Sequence, residues 1–319
     1  MTPRFATTTA VSAAALLAAL LGAAGPAAAL GGAPLTTPAE LEAALQGDGA
    51  PAVLDIRGAA YGTGHVEGAL DAPYGLFRGP ADNPGQIVPE DELEARLQAL
   101  GLTLDQPVVV MGQGNDDSDF GAAARVYWTL KSAGFRDISI LNGGATAWVN
   151  AGLALSETPA KPAPSDIDIS WNDTWTAQTD EVNAVVAGET TARLVDARPT
   201  AFYEGKQAHA AAARPGTLPG AISVPHSGFF RPGATAIAPV DDVAALKARL
   251  GITEGEEVVS FCNTGHWAAT DWFAMSELAG IPNVKLYPGS MVEYSQTGAE
   301  MENVPGLVDN LLNQFRGGN

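Results

Sequence analysis

Cysteine and histidine are scarce in this chain of 319 residues, which has one cysteine, Cys262, and four histidines. A single cysteine forms no disulfide within its own chain, so the fold does not depend on oxidation. Four dispersed histidines and one thiol also lack the spacing of a structural zinc site. We therefore expect no metal and no other cofactor.

Positive charge is scarce as well. Seventeen Lys and Arg residues stand against 36 Asp and Glu residues, which gives a formal net charge of −19 and a pI near 4.4. Such a chain repels phosphate backbones and anionic lipid surfaces. We expect neither a nucleic-acid partner nor a membrane partner for the mature protein, whose acidic surface keeps it in solution.

The one long apolar run lies at the N-terminus. A short start with Arg4 is followed by an apolar run from about Val11 to Ala24 and by small residues up to Ala29. This pattern is typical of a secretory signal, and it is too short to span a bilayer. No twin arginine precedes it, and no cysteine stands at the cleavage point to carry a lipid. We predict a signal peptide over residues 1–29 and a periplasmic protein, with an extracellular location as the other outcome of export.

The rest of the chain contains an internal repeat, which favours two domains. Arg57 matches Arg198 at an offset of 141, and Gly112 matches Cys262 at an offset of 150. The offset falls to 146 at Gly152 and Gly298, so the first copy has four extra residues between these points. We predict a first domain over residues 35–157, a linker over 158–173 with a proline-rich start, and a second domain over 174–315.

Short β-branched runs alternate with helical patterns in both copies. The predicted strands are Val53–Ile56, Val108–Met111, Ile138–Leu141, Leu194–Asp196, Ile222–Val224, Val258–Phe261 and Val284–Tyr287. The predicted helices are Pro38–Leu45, Asp91–Leu100, Phe120–Ala133, Thr179–Val186, Asp241–Leu250 and Trp267–Ala279. This alternation predicts an α/β fold in which each domain has a mainly parallel sheet flanked by helices on both faces.

Cys262 stands where an apolar strand ends and a short loop with Gly265 leads into a helix. Backbone N–H groups in such a loop point inward, and the helix adds about half a positive charge at its N-terminus. Both favour an ionised sulfur, so we interpret Cys262 as a nucleophile that a dissolved substrate can reach. The alternative is a small buried hydrophobic residue.

Several motifs occur in the same order in both copies of the repeat. With these motifs the chain resembles the rhodanese family of sulfurtransferases in its tandem-domain form. The resemblance runs from about Leu35 to Gln314. It rests on Asp55 with Arg57, Asp196 with Arg198, Gly68-Ala69, Gly220-Ala221, and the loop from Cys262 to Gly265. It implies sulfane sulfur transfer from thiosulfate or 3-mercaptopyruvate to a thiol or cyanide, through a persulfide on Cys262. Gly112 replaces the cysteine in the first copy, which is therefore expected to be non-catalytic.

The resemblance also implies roles for the residues around the thiol. The loop residues would hold the persulfide anion in a ring of amides; they are Asn263, Thr264, Gly265, His266 and Trp267. Arg198 would meet the anionic part of the donor, or it would instead form a salt bridge with Asp196. His65, in the first Gly-Ala turn, matches a histidine that mercaptopyruvate-type members use.

The loop departs from both branches of the family. Thiosulfate-preferring members carry cationic residues after the cysteine, whereas Asn263 and Thr264 are neutral. Thr264 matches the mercaptopyruvate branch, but both branches have small residues in place of His266 and Trp267. His266 would add positive charge only below about pH 6.5. Trp267 would wall the pocket, stack on a donor, or serve packing.

The four extra residues of the first copy fall at an acidic segment, residues 115–119. We expect a solvated loop whose end caps the following helix. If the two copies face each other, these carboxylates border the cleft and disfavour dianionic thiosulfate. His209 and His226 have no predicted partner and are interpreted as structural or exposed.

Other chemistries of a lone cysteine fit less well. A phosphatase or arsenate reductase of similar shape needs Cys-x5-Arg, and Ala268 stands in the arginine position. A thiol-disulfide oxidoreductase needs a second cysteine nearby. One alternative of a different class stays open: a carrier that holds sulfane sulfur and passes it to a partner protein without turnover.

Overall fold

The computed structural model describes residues 31–306. The predicted signal peptide lies outside this range, as do the last residues of the predicted second domain. Within the described residues, no helix is long and apolar enough to cross a membrane.

The first domain is built on a five-stranded parallel sheet in the order β1-β5-β4-β2-β3. Its elements in chain order are β1 (Leu35–Thr36), α1 (Pro38–Leu45), β2 (Ala52–Asp55), β3 (Leu70–Asp71), α2 (Glu90–Ala99), β4 (Val108–Met111), α3 (Phe120–Ser132), β5 (Ile138–Leu141) and α4 (Gly144–Asn150). Two 3-10 helices, Gly58–Thr63 and Tyr74–Phe77, flank β3. Thr37 and Glu40 form a capping box at the start of α1.

The second domain repeats this arrangement with a four-stranded parallel sheet in the order β7-β6-β8-β9. Its elements are α5 (Thr179–Val186), β6 (Arg193–Asp196), α6 (Thr200–Tyr203), β7 (Ile222–Ser223), α7 (Val243–Leu250), β8 (Val258–Phe261), α8 (Trp267–Phe273), β9 (Val284–Leu286) and α9 (Ser290–Tyr294). A 3-10 helix, His226–Phe229, follows β7, and a π-helical turn, Ala274–Leu278, extends α8. The α/β fold class predicted from the sequence is confirmed.

Helices cover both faces of each sheet. Along β4, Val108 and Val110 face one apolar core while Val109 and Met111 face another, as the alternation of side chains in a strand requires. The core on the inner face is shared, because it contains Val110 and Trp128 of the first domain together with Val258 and Trp272 of the second. One apolar core therefore runs through the boundary between the domains.

The two helices that follow the repeated loops, α3 and α8, pack against each other at this boundary. The Tyr127 ring lies 5.0 Å from the Phe273 ring, and the Phe120 ring lies 5.4 Å from it, both edge to face. At the end of α3, Lys131 forms an ion pair of 2.7 Å with Glu277. These contacts bring the loop that carries Cys262 against the first domain.

Candidate active site

Cys262 follows β8 directly, at the carboxyl end of the parallel sheet. Its carbonyl oxygen accepts the N–H of Met291 at 3.0 Å, and the Gly112 carbonyl accepts that of Ala145 at 2.9 Å in the first domain. The predicted equivalence of Gly112 and Cys262 therefore holds at the level of the backbone. Cys262 is 1 % exposed. The expectation of a thiol open to solvent is wrong for this conformation.

Ser290, the first residue of α9, fixes the Cys262 loop through hydrogen bonds to its backbone. Its Oγ accepts the N–H groups of Cys262 at 3.0 Å and Gly265 at 3.2 Å, and it donates to the Tyr287 carbonyl at 2.7 Å. Ser290 has φ +50°, and Gly144 at the equivalent place in the first domain has φ +61°. A serine tolerates this left-handed backbone at some cost. Ser290 therefore keeps a strained conformation and gains three hydrogen bonds, two of which fix the Cys262 loop.

The remaining amides of the loop are left for an anion. Within residues 31–306, the N–H groups of Asn263, Thr264, His266 and Trp267 donate no hydrogen bond to a protein acceptor. Gly265 makes the tight turn between them with φ +68°, and a Cβ there would lie 2.7 Å from the Pro288 carbonyl oxygen. Unpartnered amides in a turn beside a helix N-terminus form an anion-binding concavity. The predicted amide ring around the thiol is consistent with this geometry.

Arg198 forms the salt bridge that the sequence left as an alternative. Its Nε and Nη2 donate to the Asp196 carboxylate at 2.8 and 2.6 Å, and Nη2 also donates to the Gly216 carbonyl. Arg57 of the first domain makes the same bonds to Asp55 and to a glycine carbonyl. Because the cysteine-free domain repeats this pair, we interpret it as a feature of the fold. Arg198 adds one contact of its own, from Nη1 to the Asn263 Oδ1 at 3.4 Å.

Residues of the first domain contact the Cys262 loop on the side that faces that domain. Arg125 on α3 donates through Nη1 to the Gly265 carbonyl at 3.4 Å and through Nη2 to the Gly85 carbonyl at 2.9 Å. The Tyr74 hydroxyl meets His266 Nδ1 at 3.1 Å, and His266 Nε2 meets the Ser118 carbonyl at 2.9 Å. These contacts hold the first domain against the loop in which Cys262 is buried.

His266 carries no positive charge near neutral pH. Burial lowers its pKa to about 4, and the charge of Arg78 adds to the effect. The neutral ring donates from Nε2 to Ser118 and accepts at Nδ1 from Tyr74. The prediction that His266 gains positive charge below about pH 6.5 is therefore wrong, because the buried ring gains it only near pH 4.

We expect His266 to make the fold sensitive to acid. Its pKa in the folded protein is lowered, so the unfolded chain binds more protons between pH 6.5 and about 4, and stability falls as the pH drops through this window. A shift of this size corresponds to about 3 kcal/mol. Urea unfolding midpoints between pH 4.5 and 7.5 should therefore fall less steeply in His266→Gln than in the wild type. An unchanged slope in that variant would contradict the assignment.

Trp267 packs between the domains. Its ring stacks on His226 with centroids 5.1 Å apart, and its Nε1 donates to Ser118 Oγ at 2.8 Å. His226 in turn lies 3.7 Å from the Asp117 carboxylate, and burial lowers the pKa of this histidine. The acidic segment of residues 115–119 thus borders the Cys262 loop. His226, which had no predicted partner, links that segment to Trp267.

His65 lies elsewhere. The ring is fully buried and stacks on Tyr61, and its nitrogens meet the carbonyl oxygens of Tyr61 and Thr158 at 2.8 and 3.0 Å. Within residues 31–306, no hydrogen bond or ring contact joins His65 to the Cys262 loop. The structure therefore places His65 under the start of the linker and leaves neither ring nitrogen free for the substrate role predicted for it.

Sequence reasoning missed Ser290, Tyr74, Arg78 and Arg125. The repeat held a signal for Ser290, because its counterpart is a glycine in the left-handed region. No local pattern marks the other three, since they come from the first domain and meet the loop only through domain packing.

Comparison with known proteins places this geometry in a family. The model of the rhodanese-like domain matches residues 37–151 and again 178–297. The sulfur carrier protein TtuD of Thermus thermophilus is 30% identical over 73% of this chain and 83% of its own length. The thiosulfate sulfurtransferase of Azotobacter vinelandii is 32% identical over 81% and 92%. The crystal structure of SseA from Escherichia coli, a 3-mercaptopyruvate sulfotransferase, superposes with a TM-score of 0.71 at 23% identity, covering 81% of this chain and 98% of that one.

Two domains of this fold, with the cysteine-bearing loop of the second packed against the first, define a tandem-domain sulfurtransferase. The chain belongs to the rhodanese family, as its sequence motifs predicted.

Proposed function

We propose that this protein transfers sulfane sulfur through a persulfide on Cys262. The thiolate attacks the outer sulfur of thiosulfate, the S–S bond of the donor breaks, and sulfite leaves with the electron pair. With 3-mercaptopyruvate the C–S bond breaks instead, and the thiol proton passes to carbon to give pyruvate. Attack on the terminal persulfide sulfur by cyanide or a thiolate then restores the Cys262 thiolate.

One observation carries this proposal. Within the described residues, four backbone N–H groups of the loop that begins with the single cysteine, at the end of a parallel strand, donate to no protein acceptor. Oriented amides stabilise both a terminal persulfide anion and the charge that passes through the transition state. A buried cysteine with a purely structural role would leave these amides unsatisfied at a cost.

The buried thiol sets a condition on the reaction. Because Cys262 is 1 % exposed, a donor reaches it only if the site opens, so the first domain acts as a cover that moves for substrate. Such motions are common in enzymes that exclude water from a reactive intermediate.

Intact mass spectrometry of the purified protein tests the proposal. We expect incubation with thiosulfate or 3-mercaptopyruvate, one donor at a time, to add the mass of one sulfur atom, and cyanide to remove it. The donor that loads the protein faster identifies its branch. If neither donor adds sulfur, the proposal is wrong.

A second candidate is a sulfur carrier that loads Cys262 but does not turn over with small acceptors. The similarity to a sulfur carrier protein favours it. Steady-state thiocyanate production separates the two: an enzyme yields many equivalents per protein, whereas a carrier yields at most one.

We also propose that the protein acts after export, on the strength of the signal pattern over residues 1–29. The same mass measurement on protein from the periplasmic fraction should show a chain that begins at Leu30. A chain that retains residue 1 would exclude cleavage.

A further inference from the structure

Most buried or partly buried arginines of this acidic chain have a carboxylate partner. Arg57, Arg96, Arg193 and Arg198 lie 2.5 to 3.5 Å from an Asp or Glu oxygen. Arg78 and Arg125, which lie beside the Cys262 loop, form no ion pair within the part of the chain that the structure describes. Their positive charges are therefore not compensated by a side chain.

Arg125 is the more deeply buried of the two, at 1 % exposure. Its contacts are the carbonyls of Gly85 and Gly265 and the ring of Trp128, 4.8 Å from the guanidinium carbon. The buried Nε has no hydrogen-bond partner among the described residues. Burial lowers the pKa of Arg125 to about 9, which leaves it cationic at neutral pH. A buried charge without a counter-ion is costly, so the folded protein favours an anion nearby.

Arg78 is the second unpaired arginine beside the Cys262 loop, which it approaches through Tyr74. Its guanidinium carbon is 5.1 Å from the centre of the Tyr74 ring, and its buried Nη1 also lacks a partner within residues 31–306. Burial, and after it the charge of Arg78, lowers the pKa of His266 and of His209, which come from two segments of the second domain. Because the Tyr74 hydroxyl meets His266 of the second domain, Arg78 lies at the boundary between the domains.

Other cations beside the thiol are absent or neutralised. His266 is neutral, Arg198 is paired with Asp196, and the first two residues after Cys262, Asn263 and Thr264, are uncharged. Among the described residues that border the loop, Arg78 and Arg125 are left as the groups that attract an anion.

We propose that Arg78 and Arg125 form the donor's anion-binding site, so that the first domain supplies the positive charge missing from the loop. The site receives the oxyanion head of the donor, a carboxylate or a sulfonate, while the donor sulfur faces Cys262. Guanidinium groups suit this role because they bind such oxyanions in a bidentate manner. The identity of the bound anion as a sulfur donor rests on the proposed function; the anion site itself does not.

Paired alkylating reagents test the site without any sulfur chemistry. Iodoacetate and iodoacetamide react alike: the thiolate forms a C–S bond, the C–I bond breaks, and iodide leaves with the electron pair. They differ by one negative charge, so the ratio of their rates cancels changes in thiol reactivity and access. Cys262 is the only cysteine, so intact mass reports its alkylation alone.

We expect Arg78→Gln to lower the ratio of the iodoacetate rate to the iodoacetamide rate by about tenfold, the loss typical of one charged hydrogen bond. Arg78→Lys, which keeps the charge, should retain most of the ratio. Arg136→Gln is the matched control, since it removes the same charge from an exposed turn of the same domain, and its ratio should equal that of the wild type. Arg125 donates to two backbone carbonyls, so replacing it would also remove these structural bonds. The test therefore relies on Arg78.

Equal ratios in the wild type and Arg78→Gln would overturn the proposal, and so would a native wild-type protein that neither reagent labels. The result is separable from the proposed function. If the ratio depends on Arg78 but no donor loads Cys262 with sulfur, the anion site stands and the transferase assignment falls. If a donor loads Cys262 equally well in the wild type and Arg78→Gln and the two alkylation ratios are equal, the transferase assignment stands and the anion site falls.

Discussion

Cys262→Ser is expected to abolish sulfur transfer. A serine hydroxyl is not ionised at neutral pH and forms no persulfide, so the route through a covalent intermediate is lost and only uncatalysed transfer remains. We expect thiocyanate production to fall by at least about 10³-fold, as when other catalytic nucleophiles are removed. The mass of this variant should not change after incubation with either donor.

The serine variant needs a control for folding. Serine is close to cysteine in size, and the Ser290 bonds to the loop use the backbone of residue 262, so the loop should keep its shape. The unfolding midpoint in urea should therefore stay near that of the wild type. Substantial transfer by a correctly folded Cys262→Ser protein would place the chemistry at another residue.

Asp196→Ala is expected to have the largest effect on stability. Four donors meet this buried carboxylate: the Arg198 backbone N–H at 3.0 Å, its Nε at 2.8 Å, its Nη2 at 2.6 Å, and the Thr217 hydroxyl at 2.7 Å. The variant leaves the Arg198 guanidinium buried without its counter-ion. Breaking a buried pair in this way costs about 3–5 kcal/mol. Urea unfolding should show that loss as a lower midpoint with an unchanged slope.

Asp55→Ala in the first domain is the matched control. Asp55 holds Arg57 in the same geometry, also buried, but no hydrogen bond or ion pair found among the described residues joins Arg57 to the thiol loop. Both variants should lose stability, whereas sulfur loading under folding conditions should fall more in Asp196→Ala, because Arg198 also holds Asn263. Equal loading in the two variants would show that this contact does not position the loop. A stability loss below about 1 kcal/mol would contradict the buried-pair argument.

Much of the fold follows from local patterns. The bounds of β4, β5, β8, α1 and α5 agree with the predicted ones, because β-branched runs and a capping box mark their ends. Gly134 and Gly280 have the left-handed backbone expected after a helix. The short elements β1, β3, α4, α6 and α9 were not predicted, since two to seven residues are too few to show a period.

One part of the candidate site could also be predicted from local sequence, and the other part could not. The Cys262 loop and its amides follow from a strand, a glycine turn and a helix that are adjacent in sequence. The environment of the loop does not, because Arg78 and Arg125 lie more than a hundred positions away and arrive there through domain packing. His65 shows the opposite error. A position shared with relatives suggested contact with substrate, yet backbone carbonyls occupy both of its nitrogens.

The apolar core that runs through the domain boundary has a consequence for dissection of the protein. A truncated chain that starts at residue 174 would keep Cys262 and its loop, but it would turn the inward side chains of α8, Trp272 and Phe273 among them, toward water. An exposed patch of this kind promotes self-association. The isolated C-terminal half would accordingly aggregate rather than serve as a minimal enzyme, and co-expression with residues 31–157 would be the way to rescue it.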